Sequence, residues 1–233
     1  MKIAIVTAIW QREALTKIFL KSVKRYWQDY GISTMIAGSE GVKSREMCLD
    51  AGAGYIETSN QPLSQKFNKS LMAAYVNYKP DAFMIMGSDD FVNNTLIARY
   101  LNYLELGFDI VGFKDCYFHN AKTKQSVYWP GYTVEHRQGE SIGMARILSM
   151  NVFSRLKGRF WGNASAGLDW IMTQRLKKHK DLKRKIMSVK DGDYVLVDVK
   201  GFGNFCSIEQ YETVPVDTGV FNTLPEFDEI NKL

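Results

Sequence analysis

The chain has 233 residues, of which 45% are hydrophobic and 24% are charged, and its formal net charge is +5. This composition is typical of a globular protein, and no apolar run is long enough for a membrane span. The three cysteines are widely spaced and no CxxC motif occurs, which argues against a disulfide framework or a zinc site and for a reducing, cytoplasmic location.

The first half of the chain alternates between apolar strands and amphipathic helices. The strands are predicted at 2–8, 32–37, 55–58, 82–86 and 108–113, and Gly31 and Gly107 end two of the intervening helices. This alternation predicts an α/β fold, with a mainly parallel, doubly wound sheet that is flanked by helices.

The second half has a mixed character. It combines an aromatic-rich stretch at 115–140 with predicted strands at 143–149 and 194–200 and a helix that ends near Lys178. We therefore predict one domain over residues 1–208, divided into halves at 1–114 and 115–208. An acidic tail at 209–233 follows, and it either wraps the surface or is partly mobile.

The strand at 82–86 ends in Gly87-Ser88-Asp89-Asp90, which places two carboxylates at the carboxyl edge of the sheet. Ligands bind at that edge in open α/β sheets. Carboxylate oxygens suit Mg²⁺ or Mn²⁺, and through the metal a diphosphate. The alternative is structural, since one of these aspartates would also suit the N-cap of the following helix.

Basic residues favour an anionic partner. Residues 209–233 carry six acids and one lysine, so residues 1–208 hold a net charge of +10. The densest basic run, 177–185, is either a solvated helix end or a patch that binds nucleic-acid or membrane phosphates. Lys66 lies in the first turn of a predicted helix, where it either faces a phosphate or is simply an exposed lysine.

Six short blocks occur in order over residues 3–205. They are a turn with Arg12, Lys66-x-Asn68, Ser88-Asp89-Asp90, Gly143-x-Ala145-Arg146, Gly167-Leu168-Asp169, and a strand with Lys200 followed by Gly203-Asn204. This ordered set resembles the GT-A-fold glycosyltransferases of the family-2-like kind. The resemblance implies a GT-A-like fold, in which residues 1–114 bind a nucleotide sugar and residues 115–208 bind the acceptor.

The resemblance also implies roles for particular residues. Asp90 would bind the divalent metal with help from Asp89, and Ser88 replaces the usual first acid of the motif. Asp169 would be the catalytic base of an inverting enzyme, although a helix-start acid is the alternative. The family's third metal ligand would be water or Asn204, or would be missing. The nucleotide sugar would contact Thr7, Ala8, Trp10, Arg12, Lys66, Asn68, Ser88, Asp89 and Lys200.

These roles predict a metal-dependent, inverting glycosyltransferase that uses Mn²⁺ or Mg²⁺ and a nucleotide-diphosphate donor, most simply a UDP-sugar. Trp129, Tyr132 and Trp161 would stack on a sugar or a base, or belong to the core. The small size and lysine-rich composition are similar to phage-encoded transferases, which implies double-stranded DNA with hydroxymethylated bases as an acceptor, in the host cytoplasm. The acceptor is expected to contact Arg146, Trp161, Lys178, Lys183 and Arg184.

Other functions remain open. The acceptor would alternatively be lipid-linked or a surface polysaccharide. A nucleotidyltransferase would also bind a nucleotide on an α/β sheet, but the turn at 7–12 lacks the glycine-rich loop expected of one. A non-catalytic module that binds polyanions is the third possibility, and it would bind DNA with a steep salt dependence.

Overall fold

The computed structural model describes residues 1–202, 204 and 207–233. The strands are β1 (Ile3–Ala8), β2 (Ser33–Gly38), β3 (Gly54–Glu57), β4 (Ala82–Ile85), β5 (Asp90–Val92), β6 (Ile110–Phe113), β7 (Cys116–Asn120), β8 (Ser126–Trp129), β9 (Arg146–Ser149), β10 (Arg184–Met187), β11 (Leu196–Lys200) and β12 (Val214–Pro215). The helices are α1 (Glu13–Tyr30), α2 (Val42–Asp50), α3 (Leu63–Tyr78), α4 (Asn94–Glu105), α5 (Met150–Arg155), α6 (Leu168–Lys177) and α7 (Phe227–Ile230). Within the described ranges, none of these helices combines the length and the apolar character that a membrane crossing needs.

The larger sheet has seven strands in the order β10-β6-β9-β4-β1-β2-β3. β1 pairs in parallel with β2 and β4, and β2 pairs in parallel with β3, whereas β9 runs antiparallel to both of its neighbours. Every residue of β4 is buried, as a strand covered on both faces requires. The predicted α/β fold with a mainly parallel sheet and a mixed second half is confirmed.

The smaller sheet has five strands in the order β12-β8-β7-β11-β5. It begins where the chain leaves β4, because the four residues 86–89 lead directly from β4 of the larger sheet into β5 of the smaller one. β5 pairs antiparallel with β11, and this register sets Asp90 opposite Asp198. The two sheets therefore meet at the carboxyl edge of the parallel strands.

The segment between β4 and α4 does not use either aspartate as the N-cap of the helix, which was the alternative to a metal site. Asn93 is the N-cap of α4, and its side chain accepts a hydrogen bond from the backbone N–H of Leu96. Asp90 instead starts β5, which was not predicted because a strand of three residues gives no clear periodicity. Neither Asp89 nor Asp90 is a helix cap.

The acidic tail contributes to the core of the protein. Phe221, Leu224, Phe227 and Ile230 are buried. The rings of Phe221 and Phe227 lie against His119 of β7, at centroid distances of 6.2 and 5.1 Å. The charged residues of the tail are therefore interspersed with apolar anchors that hold it on the smaller sheet.

Candidate active site

Three carboxylates converge where the two sheets meet. Within the described residues, Asp89, Asp90 and Asp198 each place one oxygen within 4.8 Å of the others. Asp90 also accepts a hydrogen bond of 2.5 Å from the backbone N–H of Gly87. A Cβ atom on Gly87 would lie 2.5 Å from an oxygen of Asp89, so the close approach of the carboxylates requires glycine here.

The two carboxylates of the β5–β11 pair are held in an environment that disfavours their charge. Burial and then the charge of Asp89 raise the pKa of Asp198 to about 6, and the same two causes raise the pKa of Asp90 well above its ordinary value. Lys200 opposes this effect through an ion pair with Asp198 at 2.6 Å. Asp198 Oδ1 is buried and has no hydrogen-bond partner among the described residues.

A divalent cation fits this donor set. Carboxylate oxygens are ligands that Mg²⁺ and Mn²⁺ prefer. The carboxylates here repel one another, and one buried oxygen lacks a hydrogen bond that a cation could replace. Asp90 and Asp198 would bind such an ion directly. The side chain of Asn204 is held beside the carboxylates, since its Nδ2 donates to Asp89 Oδ2 at 2.7 Å and its Oδ1 accepts from the Phe202 N–H at 3.2 Å.

Asp89 is neutralised by a partner from the N-terminal turn. The Arg12 guanidinium donates to Asp89 Oδ2 at 2.7 Å and to Ser88 Oγ at 2.9 Å. The residues Ser88 and Asp89 therefore orient Arg12 at the mouth of the site. Ser88 accepts a hydrogen bond at the position where the family's motif has an acid, which gives this departure a structural role.

A cavity of about 370 Å³ lies on one side of the aspartates. Three of the residues expected to cup the nucleotide, Ala8, Trp10 and Arg12, line it together with Ser88 and Asp89. Trp10 is 48% exposed, so its indole face is available to a ligand. Thr7 differs from this expectation, since it is completely buried in β1 and is not among the lining residues.

Lys66 of α3 also lines this cavity, but other groups of the protein occupy its ammonium group. Lys66 is almost completely buried, and its three N–H donors bind the Ile9 carbonyl, Ser39 Oγ and Asn60 Oδ1 at 2.8 to 3.0 Å. It has no donor left for a phosphate, and burial lowers its pKa to about 8. Lys66 therefore fixes the loops that border the cavity.

Asn68 was expected to contact the nucleotide and does not reach the cavity. Its side chain holds the backbone of Trp161 instead, donating to the Trp161 carbonyl at 3.1 Å and accepting from the Trp161 N–H at 3.5 Å. It fixes the loop that precedes α6.

A second cavity of about 320 Å³ lies on the other side of the aspartates. Asp90, Asp198 and Asp169 all line it, and so do the aromatic side chains of Trp129, Tyr132 and Trp161. Gly87 and Leu63 border both cavities. The two spaces therefore adjoin at the carboxylates, as a site that binds two reactants requires.

Asp169 stands at the start of α6 with two hydrogen-bond donors on one oxygen. Tyr132 donates its hydroxyl to Asp169 Oδ2, and Arg137 donates to the same oxygen at 2.9 Å. Burial by itself would raise the pKa of Asp169, but these two donors outweigh it and lower the pKa below its ordinary value.

Four of the five residues expected to bind the acceptor lie away from both cavities. Lys178 and Lys183 are exposed beyond the end of α6, and Arg184 starts β10. Since β10 is parallel to β6, this end lies at the amino edge of the sheet, opposite the aspartates. Arg184 donates to backbone carbonyls at the end of α6. Arg146 is completely buried.

Asp198 was missed in the sequence. It is a single acid within the apolar strand Leu196-Val197-Asp198-Val199, and such an isolated charge in a buried strand was the available signal. Lys200, expected near the nucleotide, is buried and paired with Asp198, so it lies beside the carboxylates. Gly203 belongs to a block of the resemblance but lies outside the described residues.

Solved structures of known proteins superpose on this fold, whereas comparisons of the sequence find no match. No protein-family model matches the sequence, and no curated protein matches it either. S. aureus TarS superposes on 86% of this chain with a TM-score of 0.61 and 14% identity, and a shorter TarS structure superposes on 85% with the same score and 12% identity. The chain covers only 37% and 60% of those two structures, which is less than two thirds of either.

A third solved structure agrees with these two. Glucosyl-3-phosphoglycerate synthase from Mycobacterium tuberculosis matches 90% of this chain with a TM-score of 0.56 and 12% identity, and 74% of that enzyme is covered. The chain therefore has the fold of the GT-A glycosyltransferases, as the resemblance implied.

Proposed function

We propose that this protein is a metal-dependent glycosyltransferase that moves a sugar from a nucleotide-diphosphate donor to a hydroxyl acceptor. The observation that carries the proposal is the convergence of Asp89, Asp90 and Asp198 between two adjoining cavities, at the carboxyl edge of a GT-A sheet. Asp198 Oδ1 is a buried oxygen that lacks a hydrogen bond within the described part of the chain, and a bound cation would satisfy it.

The donor would lie in the cavity beside Trp10. Trp10 would stack on the nucleobase, and Arg12 would exchange part of its contact with Asp89 for the diphosphate. Asp90 and Asp198 would hold Mn²⁺ or Mg²⁺, which supplies positive charge to the departing nucleotide diphosphate. UDP is the favoured nucleotide, because the M. tuberculosis synthase of the same fold binds UDP with Mn²⁺ or Mg²⁺.

Asp169 is the proposed general base of an inverting reaction. It lines the same cavity as Asp90 and Asp198, where an acceptor hydroxyl would approach the sugar. The hydrogen bonds from Tyr132 and Arg137 fix one carboxylate oxygen and keep the group ionised at neutral pH. A positioned base of this kind contributes a factor of about 10² to 10⁴ in rate.

The aromatic lining of the second cavity favours a carbohydrate acceptor, lipid-linked or part of a surface polysaccharide. Trp129, Tyr132 and Trp161 offer apolar ring surface beside the carboxylates. Double-stranded DNA is less favoured, because the basic run that would bind its phosphates lies at the opposite edge of the sheet. A module that only binds polyanions would have no use for the buried carboxylates.

The proposal is tested by adding nucleotide sugars to the protein with Mn²⁺ and following thermal unfolding. A donor at 100 times its dissociation constant should stabilise the folded state by about 2.7 kcal/mol. Asp90→Asn should remove this effect and the release of nucleotide diphosphate, whereas Asp228→Asn, an exposed acid of the tail, should change neither. Release at the wild-type rate by Asp90→Asn in EDTA would refute the metal-dependent mechanism.

A further inference from the structure

A third cavity, of about 280 Å³, lies between α6, the segment 135–141 and the strands β6, β9 and β10. It is separate from the two cavities at the aspartates, and it shares no lining residue with them. Its wall combines apolar side chains of the core with polar or charged ones, namely His136, Gln138, Glu140, Arg146, Thr173, Lys177 and Arg184.

Arg146 is a completely buried cation that lines this cavity. Its side chain is completely buried, and Nη2 donates to the Ser141 carbonyl at 2.5 Å. Nε and Nη1 are buried and find no hydrogen-bond partner in the part of the chain that the structure describes. A guanidinium that is removed from water with two unused donors is costly unless an anion reaches it.

Thr173 adds a second unused donor to the same wall. It projects from α6 into the lining of the cavity, and its buried Oγ1 also lacks a hydrogen-bond partner among residues 1–202, 204 and 207–233. Two unsatisfied polar groups from different elements, β9 and α6, therefore border one cavity. This arrangement is typical of a built binding site.

The acids near Arg146 are already paired with other cations. Glu140 accepts from Arg137 at 3.0 Å and pairs with Lys177 at 2.5 Å. Asp169 accepts from Tyr132 and Arg137. The charged groups that line the cavity are three cations, Arg146, Lys177 and Arg184, and one acid, Glu140, so the cavity carries an excess of positive charge.

We infer that this cavity binds a small oxyanion of the phosphate class, held by the free donors of Arg146 and by the Thr173 hydroxyl. A charge-assisted N–H donor of Arg146 and the Thr173 hydroxyl would each bind a different oxygen of such an anion, and a single chloride ion has no second acceptor atom. The anion comes either from free phosphate or from a small phosphorylated molecule, for which the volume has room. The second source rests on the proposed function, and that molecule would be the acceptor in place of the carbohydrate acceptor favoured above.

Calorimetric titration of inorganic phosphate into the full chain, with ionic strength held constant by chloride, tests the inference. Wild type should bind phosphate in a saturable manner, and Arg146→Met should bind about tenfold more weakly, since a charge-assisted hydrogen bond is lost. Thr173→Val keeps the shape of the side chain, so it is the second variant if Arg146→Met fails to fold. We expect it to weaken binding about threefold to tenfold.

The matched control is Lys178→Met, which removes an exposed cation next to Lys177 without touching the cavity. It should leave phosphate binding unchanged. The inference is overturned if wild type shows no saturable binding, or if Thr173→Val binds phosphate as wild type does while Lys178→Met weakens it.

The two sources are separated by kinetics with a phosphorylated acceptor such as 3-phosphoglycerate. If the acceptor supplies the phosphate, Thr173→Val should raise its KM with little change in kcat, and inorganic phosphate should compete with it. If free phosphate is the ligand, that KM stays unchanged while the calorimetric differences persist. Calorimetry needs no turnover, so the absence of sugar transfer would refute the proposed function without touching the anion site.

Discussion

Asp198 is a carboxylic acid in a largely buried position, and burial disfavours its charged form. It lies opposite Asp90 in a buried strand pair, and burial with the neighbouring carboxylates raises its pKa to about 6. The charged form of this carboxyl group is costly, and the ion pair with Lys200 offsets only part of that cost, yet the group is well suited to hold a cation. The proposed role in binding a cation would account for this costly placement.

Asp198→Asn should therefore separate stability from metal binding. Without metal the unfolding temperature of the variant should stay close to that of wild type, because the lost repulsion toward Asp90 and the lost ion pair with Lys200 have opposite effects. Its affinity for Mn²⁺ should fall by more than about 100-fold, since even a residue that only orients a ligand contributes about 10- to 100-fold. Unfolding scans with and without Mn²⁺ measure both effects, and a variant that Mn²⁺ stabilises as it does wild type would contradict the assignment.

Tyr132 should control the ionisation of the proposed base. Its hydroxyl donates to Asp169 and lowers the pKa of that carboxyl group. Tyr132→Phe removes the donor, so the pKa of Asp169 should rise and the acid limb of the kcat/KM profile should move to higher pH. Tyr128→Phe, which removes a hydroxyl bound to Asp115, is the control. An acid limb that does not move in Tyr132→Phe would exclude Asp169 as the titrating base.

At the scale of elements, the segment before β9 and the start of α6 are in close contact. A Cβ atom on Gly143 would lie 2.6 Å from the Cβ of Asp169, whereas one on Gly162 would meet nothing within 4 Å. Gly143→Ala should displace the start of α6 and lower kcat about tenfold or more, because small misplacements of a catalytic group are costly.

Gly162→Ala is the matched control for that change, and it should keep wild-type kcat. Mn²⁺ binding should be unaffected in both variants, because neither glycine contacts Asp89, Asp90 or Asp198. If Gly143→Ala retained full kcat, the position of Asp169 would not matter to the reaction.

The parallel strands could be predicted from the sequence, because each is a complete apolar segment with its own turn signals. The pairing of Asp90 with Asp198 could not, because it depends on the antiparallel register of β5 with β11. The surroundings of Lys66 could not be predicted either. Its N–H groups bind Ile9, Ser39 and Asn60, and the residues next to it in the sequence do not indicate these contacts. The sequence therefore locates the edge of the sheet but not the contacts made there.

At the scale of the whole molecule, the tail is part of the smaller sheet's core. Phe221 is completely buried and contacts Tyr117, His119 and Phe227. Phe221→Ala should lower the free energy of unfolding by about 3–5 kcal/mol, the usual cost of removing a buried aromatic ring. Denaturant titration measures this loss, and exposed Val214→Ala is the control. A change below about 0.5 kcal/mol, the range of ordinary surface substitutions, would show that the tail is not anchored there.

The same region makes stability depend on pH. Burial, with a smaller effect of Lys124, lowers the pKa of His119 to about 4. Between pH 6.5 and 4 the unfolded chain takes up a proton that the folded protein does not. His119 therefore makes the free energy of unfolding fall with decreasing pH, by at most about 1.4 kcal/mol per pH unit. His119→Gln should reduce this slope, and an identical slope in the variant would contradict the assignment.

The most direct test of the central claim is calorimetric titration of UDP into the protein with Mn²⁺, with EDTA, and with Mn²⁺ in the Asp198→Asn variant. Wild type with Mn²⁺ should bind UDP saturably, binding in EDTA should be at least about tenfold weaker, and the variant should bind as weakly as wild type does in EDTA. UDP binding that is the same in all three titrations would show that the carboxylates of β5 and β11 do not form a metal site for the donor.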